Sequence, residues 1–190
     1  ARMDAEALRR HFESLADASP LPIIVYNIPQ FVPVEIAPGL LAELGTHPNI
    51  AGVKDTSGDL KLLGAFLDAA RADCRVLVGW GALLYAALET GAAGGIVAMG
   101  CIAPRQSVEV YEHFRAGAVG KAGGVQRKIT PLDKKIVREL GVAGVKYALD
   151  VLGYVGGEPR PPLRPLDDRA RAQVRDELAR AGLLAGEDHG

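Results

Sequence analysis

Apolar residues along the chain fall into two patterns. Up to about residue 118, short continuous apolar runs alternate with segments whose apolar positions recur every three or four residues. Leu21-Pro22-Ile23-Ile24-Val25-Tyr26, Ile50 to Val53 leading into Lys54, Arg75-Val76-Leu77-Val78 and Gly95-Ile96-Val97-Ala98 are runs of the first kind and read as strands. Helical periodicity marks Asp4 to Leu15, with Leu8, Phe12 and Leu15 on one face. It returns after Asp59 through Leu62, Leu63, Phe66 and Leu67, from Ala82 to Glu89, and across Val108, Tyr111 and Phe114. Pro38 opens a short helix to Leu44, and Asp59 is placed to cap the next one.

Strands that are apolar almost throughout need cover on both faces, which is the habit of parallel βαβ units. The strand starts lie roughly 20 to 27 residues apart, a short and regular spacing that suits a barrel. The expected fold is α/β, the C-terminal half of a (β/α)8 TIM barrel with about four βα units. Its strands lie near residues 22–26, 50–54, 75–78 and 95–98, within 1–118. After Ala116 the strand signal stops. Lys121 to Leu140 reads as a helix that Pro131 kinks or breaks, followed by helices from Val145 to Leu152 and Asp167 to Ala181. Residues 119–185 thus form a C-terminal helical extension, and 186–190 a frayed tail. A closed barrel takes eight strands and typically about 250 residues, so the N-terminal half is expected to be missing. A half barrel would expose two unpaired sheet edges and apolar inner faces.

Composition narrows the function. The chain is 48% hydrophobic and 24% charged with a formal net charge of -1, which gives no basic excess for binding nucleic acid. The weakly polar run from Gly91 to Ala103 is too short to span a bilayer, and neither end carries a signal or lipidation motif. Cys74 and Cys101 stand far apart, which argues for a reducing, cytoplasmic setting. His11, His47, His113 and His189 show no metal-ligand spacing and read as surface or capping residues, so no metal or other cofactor is expected.

Lys54 is the residue around which chemistry can be built. It ends an apolar strand, and active sites of parallel barrels lie at the C-terminal strand ends. A lysine buried there would have its neutral amine favoured, which is what a Schiff-base nucleophile requires. Tyr26 ends the preceding strand and could shuttle protons, although a packed strand-end tyrosine would look the same. Lys146 supplies an internal control, because Gly144-Val145-Lys146 repeats the triplet Gly52-Val53-Lys54 in helical context. Gly91-Ala92-Ala93-Gly94-Gly95 precedes a strand, so it reads as a tight turn and not as a phosphate cradle. Asp133, Lys134 and Lys135 read as a solvated helix face, and the Arg160–Arg164 cluster as surface, with an interface as the alternative.

Tyr26-Asn27-Ile28-Pro29, followed 28 residues after the tyrosine by Lys54 within Gly52-Val53-Lys54-Asp55, resembles the dihydrodipicolinate synthase / N-acetylneuraminate lyase family. Leu77-Val78-Gly79, Gly94-Gly95-Ile96 and Gly144 to Tyr154 agree, so the resemblance runs along nearly the whole chain. It implies a barrel with C-terminal helices, class I aldolase or lyase chemistry on pyruvate or a related 2-oxo acid, no metal, and a homotetramer. By the same resemblance Lys54 would form the imine, Tyr26 would relay protons, and Thr56 would offer a hydroxyl. Gly79 would line the pocket and Ile96 would turn its carbonyl to the substrate.

Departures bear on the second substrate. Phe31 stands where synthases of this family place an arginine for the aldehyde's carboxylate, and Val32 replaces a hydroxyl residue. Gly79-Trp80-Gly81-Ala82 lacks the acidic residues of sialic acid lyases. His47-Pro48-Asn49-Ile50 and the Gly153-Tyr154 region look most similar to 4-hydroxy-2-oxoglutarate aldolase-like members. The leading expectation is cleavage or formation of a short 4-hydroxy-2-oxo acid. The alternatives are 4-hydroxy-tetrahydrodipicolinate synthase and a non-catalytic remnant that binds a 2-oxo acid or a partner protein.

Overall fold

Asp4 starts the first helix, its carboxylate accepting from the Ala7 amide at 2.8 Å. This helix, α1 (Ala5–Ala18), buries Leu8 and Ala16 and half-buries Phe12, a stripe spaced by four residues. Leu15 lies one position off that stripe and is exposed, contrary to the expectation from its spacing. The outer face carries Glu6, Arg9, Arg10 and Glu13 in a ladder of ion pairs. Hydrogen bonds from Arg10 and then Arg9 hold the Glu6 carboxyl below its ordinary range. The computed structural model describes residues 3–184, so the tail at 186–190 lies outside the described residues.

The chain divides into two compact units, the first ending at Ile96. In this unit β1 (Ile23–Asn27), β2 (Ile50–Asp55), β3 (Arg75–Val78) and β4 (Gly94–Gly95) form a parallel sheet in sequence order. Three helices alternate with them: α2 (Pro38–Leu44), α3 (Leu60–Ala69) and α4 (Leu84–Thr90), the last entered through a 3₁₀ turn at Gly81–Leu83. Leu40, Leu41, Leu44, Leu63 and Phe66 from these helices, with Val25, Val53 and Val76 from the strands, make the core. Each such side chain contributes roughly 1.5–3 kcal/mol by leaving water. Pro38 stands at the start of α2, and the Asp59 carboxylate accepts from the Lys61 amide to cap α3. Asn49 ties the end of α1 to β2, its amide reaching the carbonyls of Ala16, Ser19 and Leu21 at 2.8 to 3.1 Å.

The sheet departs from the sequence reading in two places. Cover on both faces does not hold for β1, where Val25 and Asn27 are buried while the alternate residues Ile24 and Tyr26 are exposed. The fourth strand is two residues long instead of spanning 95–98. The Ile96 amide still donates to the Val78 carbonyl, but the following backbone coils into a 3₁₀ turn, Ala98–Cys101. Gly100 bonds to the Val97 carbonyl and Ile102 to that of Met99, so the backbone groups that would extend the ladder are used locally.

From Val97 onward the second unit is helical: α5 (Pro104–Arg115), α6 (Val119–Leu132), α7 (Gly141–Val151) and α8 (Asp168–Arg180). The α5 helix, grouped by sequence with the barrel segment, packs on α6. Pro131 neither breaks nor ends its helix at that point. The α6 helix runs through it to Leu132, and a π-helical turn, Asp133–Arg138, follows. That turn carries Asp133 inward beside Ile136, so Asp133 is buried and not part of a solvated face. Lys135 bonds at 2.7 Å to Glu177, itself buried, while Lys134 is exposed. Arg160 and Arg164 are exposed. Among the described residues no helix is long and apolar enough to cross a membrane. Both cysteines are free, Cys74 buried and Cys101 exposed.

Candidate active site

Parallel pairing puts Tyr26 of β1 opposite Lys54 of β2, and Lys54 opposite Leu77 of β3. In register and on adjacent strands, these side chains leave the sheet on the same face. The Lys54 Nζ stands 4.0 Å from the centroid of the Tyr26 ring, over its face. Lys54 is half-buried, so the full burial considered for it on sequence grounds is not reached. Among the described residues its amine donates no hydrogen bond and joins no ion pair. Apart from the ring, then, the nitrogen is tied to no other group among the described residues.

Thr56 and Gly79 complete the surroundings of the amine. Thr56 is 5% exposed, and its Oγ1 is buried without a hydrogen-bond partner among the described residues. A buried hydroxyl left unpaired costs about 1–3 kcal/mol, so its retention calls for an explanation. Gly79 lies against both groups. A Cβ there would overlap Thr56 Oγ1 and stand 3.0 Å from Lys54 Cε, so only glycine leaves the amine and the hydroxyl their room. Ile96, just after β4, has an exposed side chain and an amide bonded to Val78. Lys54, Tyr26, Thr56 and Gly79 therefore converge, with Ile96 two strands along from β2 in the same unit.

Two further positions bear on the site. Phe31, five residues after Tyr26, is 78% exposed on the turn that follows β1. Lys146 sits in α7, where its amine is bound to the Gly156 carbonyl oxygen. The second Gly-Val-Lys triplet thus has its nitrogen occupied.

Sequence reasoning passed over Asn27 and Asp55. They face each other one step beyond Tyr26 and Lys54, on the buried side of the sheet, at 1% and 2% exposure. The Asn27 amide donates to Asp55 Oδ1 at 2.7 Å, and the same spacing of 28 residues that singled out the tyrosine and lysine would have found them.

Residues 1–181 match the Dihydrodipicolinate synthetase family. Curated relatives include a 4-hydroxy-tetrahydrodipicolinate synthase from Methanoculleus marisnigri, 34% identical over 92% of this chain and 60% of its own length. Another, from Acidiphilium cryptum, is 36% identical over 95% and 62%. An uncharacterized DapA-like lyase of Halobacterium salinarum is also 36% identical, over 96% and 60%. The chain thus spans about three fifths of the length of the curated relatives it matches. Among solved structures, the dihydrodipicolinate synthase of Thermotoga maritima superposes with a TM-score of 0.90 at 28% identity, covering 96% of this chain and 63% of that one. A chloride-inhibited dihydrodipicolinate synthase from Acinetobacter baumannii, solved with pyruvate, gives 0.90 at 31% identity, with the same 96% and 63% coverage. The α/β fold, with its parallel sheet and C-terminal helices, is that of part of the barrel of these enzymes. By fold and by sequence over nearly its whole length, the chain belongs to the dihydrodipicolinate synthetase family.

Proposed function

We propose that this protein is a Schiff-base lyase acting on pyruvate, with Lys54 as its nucleophile. The observation that carries the reading is the Lys54 amine, held in no hydrogen bond or ion pair among the described residues, over the Tyr26 ring and beside a glycine that keeps its surroundings open. The amine adds to the keto carbon of pyruvate, the carbinolamine loses water, and the resulting iminium draws electrons from the neighbouring methyl carbon. Loss of a methyl proton gives an enamine that attacks an aldehyde carbon, and hydrolysis returns the free lysine. Tyr26 relays protons in these steps, Thr56 offers its unpaired hydroxyl to the bound 2-oxo acid, and Gly79 and Ile96 line its seat. No step needs a metal or organic cofactor, since the iminium is itself the electron sink. A cytoplasmic homotetramer completes the proposal, with the free cysteines in accord with a reducing setting.

For the second substrate, the relatives' names support 4-hydroxy-tetrahydrodipicolinate synthase, with aspartate semialdehyde as the aldehyde, over cleavage of a 4-hydroxy-2-oxoglutarate-type acid. Phe31 favours the second reading, because an exposed phenyl ring offers no ion pair to the semialdehyde's carboxylate. Side-by-side assays decide between them. Pyruvate-dependent consumption of aspartate semialdehyde exceeding cleavage of 4-hydroxy-2-oxoglutarate is expected. The reverse order establishes the aldolase reading, and pyruvate binding with neither turnover leaves a non-catalytic 2-oxo-acid binder.

A further inference from the structure

We infer that Asn27 and Asp55 form a latch that fixes β1 against β2 and so positions the Lys54 amine, an inference that rests on the imine reading of Lys54. The need for a latch comes from the sheet itself. The pairing shifts between Ile23 and Ile24, which face Ile50 and Gly52, so one position of β2 is passed over. Neither face of β2 is fully exposed, so its hydrophobic pattern gives little guidance to register. A slip of one residue would move Tyr26 off the level of Lys54.

The two side chains resist that slip because their groups match only in this register. The Asp55 carboxylate, which can only accept, takes the Asn27 amide at 2.7 Å, the Ser57 hydroxyl at 2.7 Å and the Ser57 backbone N–H at 3.2 Å. Asn27 Oδ1 in turn accepts the Ile36 N–H at 3.1 Å, which anchors the far end of the turn carrying Phe31. Any other register would strand a buried amide and a buried acid without partners. The backbone of the same two residues reaches the site directly. The Asn27 carbonyl accepts the Thr56 N–H at 2.9 Å, and the Asp55 carbonyl accepts the Gly79 N–H at 2.7 Å. One buried pair therefore sets the heights of Tyr26, Lys54, Thr56 and Gly79.

The test uses the full chain and two readouts: pyruvate-dependent borohydride trapping per folded molecule, and hydrogen exchange at the Thr56 and Gly79 amides. Asn27→Asp sets two acids against each other, and Asp55→Asn presents an amide where donors already point. Each should slow trapping about 10- to 100-fold, the scale of misplacing a reacting group by about 1 Å. Each should also strip protection from the two amides. The double exchange, Asn27→Asp with Asp55→Asn, again pairs an amide with an acid and keeps acceptors for the Ile36 N–H and the Ser57 hydroxyl, giving up only the 3.2 Å bond from the Ser57 N–H, so it should recover most of both readouts. Leu63→Ala, a cavity in α3 away from the pair, should lower stability and leave trapping per folded molecule unchanged. Should the single variants not fold, Ser57→Ala removes one donor to Asp55 and should show a smaller loss in both readouts.

Unaltered protection and trapping in the single variants, or in Ser57→Ala if those do not fold, overturns the latch. So does a double exchange that recovers nothing, or a Leu63→Ala variant that loses trapping equally. A parent chain that traps no pyruvate overturns the imine reading instead, and amide protection still decides whether the pair sets the register.

Discussion

Gly-Val-Lys occurs twice in this chain, and the two lysines come to opposite ends. At residues 52–54 the triplet lies near the end of a strand that Asp55 closes, and the amine stands over a tyrosine ring with no hydrogen-bond partner among the described residues. At residues 144–146 it lies in a helix, and the amine is bound to the Gly156 carbonyl. Each lysine also has a glycine close by, for different reasons. A Cβ at Gly79 would crowd the amine end of Lys54 and the Thr56 hydroxyl, whereas one at Gly156 would overlap the backbone carbonyl oxygen of Lys146. The first glycine leaves room for an amine and a hydroxyl, and the second lets a loop lie against a helix. Identical triplets thus carry no chemistry of their own; the element that presents them, and what reaches the amine, decide.

The sharpest way to break this comparison is to remove each lysine in turn. Lys54→Ala is expected to abolish trapping of pyruvate by borohydride, and Lys146→Ala to retain it; equal trapping by both variants would contradict the assignment of roles. Next in size is the pair of glycines. Gly79→Ala and Gly156→Ala should each destabilise by about 1–3 kcal/mol, the usual range for overpacking, as read by denaturant unfolding. Only Gly79→Ala should reduce trapping per folded molecule. Thr56→Val separates stability from binding at the first lysine. Removing a buried hydroxyl with no partner should raise stability by about 1 kcal/mol, while a higher pyruvate concentration becomes necessary for half-maximal trapping. The smallest effect belongs to the second lysine. Loss of the Lys146 bond to Gly156 should cost about 1 kcal/mol in unfolding free energy and leave the pyruvate dependence where it was.

Much of this contrast was legible in the sequence, for reasons that particular residues show. Runs such as Ile50 to Val53 and Arg75 to Val78 are short, apolar and bounded by turn residues, and Pro38 and Asp59 mark helix starts by backbone chemistry that needs no tertiary help. Lys54 and Tyr26 could be placed at strand ends from those runs. The burial of Leu15 and Asp133 is not legible in the sequence, because it depends on which stripe of a helix meets a neighbour and on a π turn that no local pattern announces. The fourth strand is shorter than its sequence suggests because Ile96 and Val97 are good strand residues that lead straight into a 3₁₀ turn, Ala98–Cys101. Asn27 and Asp55 escaped notice because an Asn or Asp at a strand end reads as a turn residue until its cross-strand partner is known.

The most direct measurement is borohydride reduction in the presence of labelled pyruvate, followed by peptide mass mapping of the whole chain. Label confined to the peptide that contains Lys54, with the Lys146 peptide unmodified, is the predicted result. Label on Lys146, label spread over many lysines, or no pyruvate-dependent label would contradict the account.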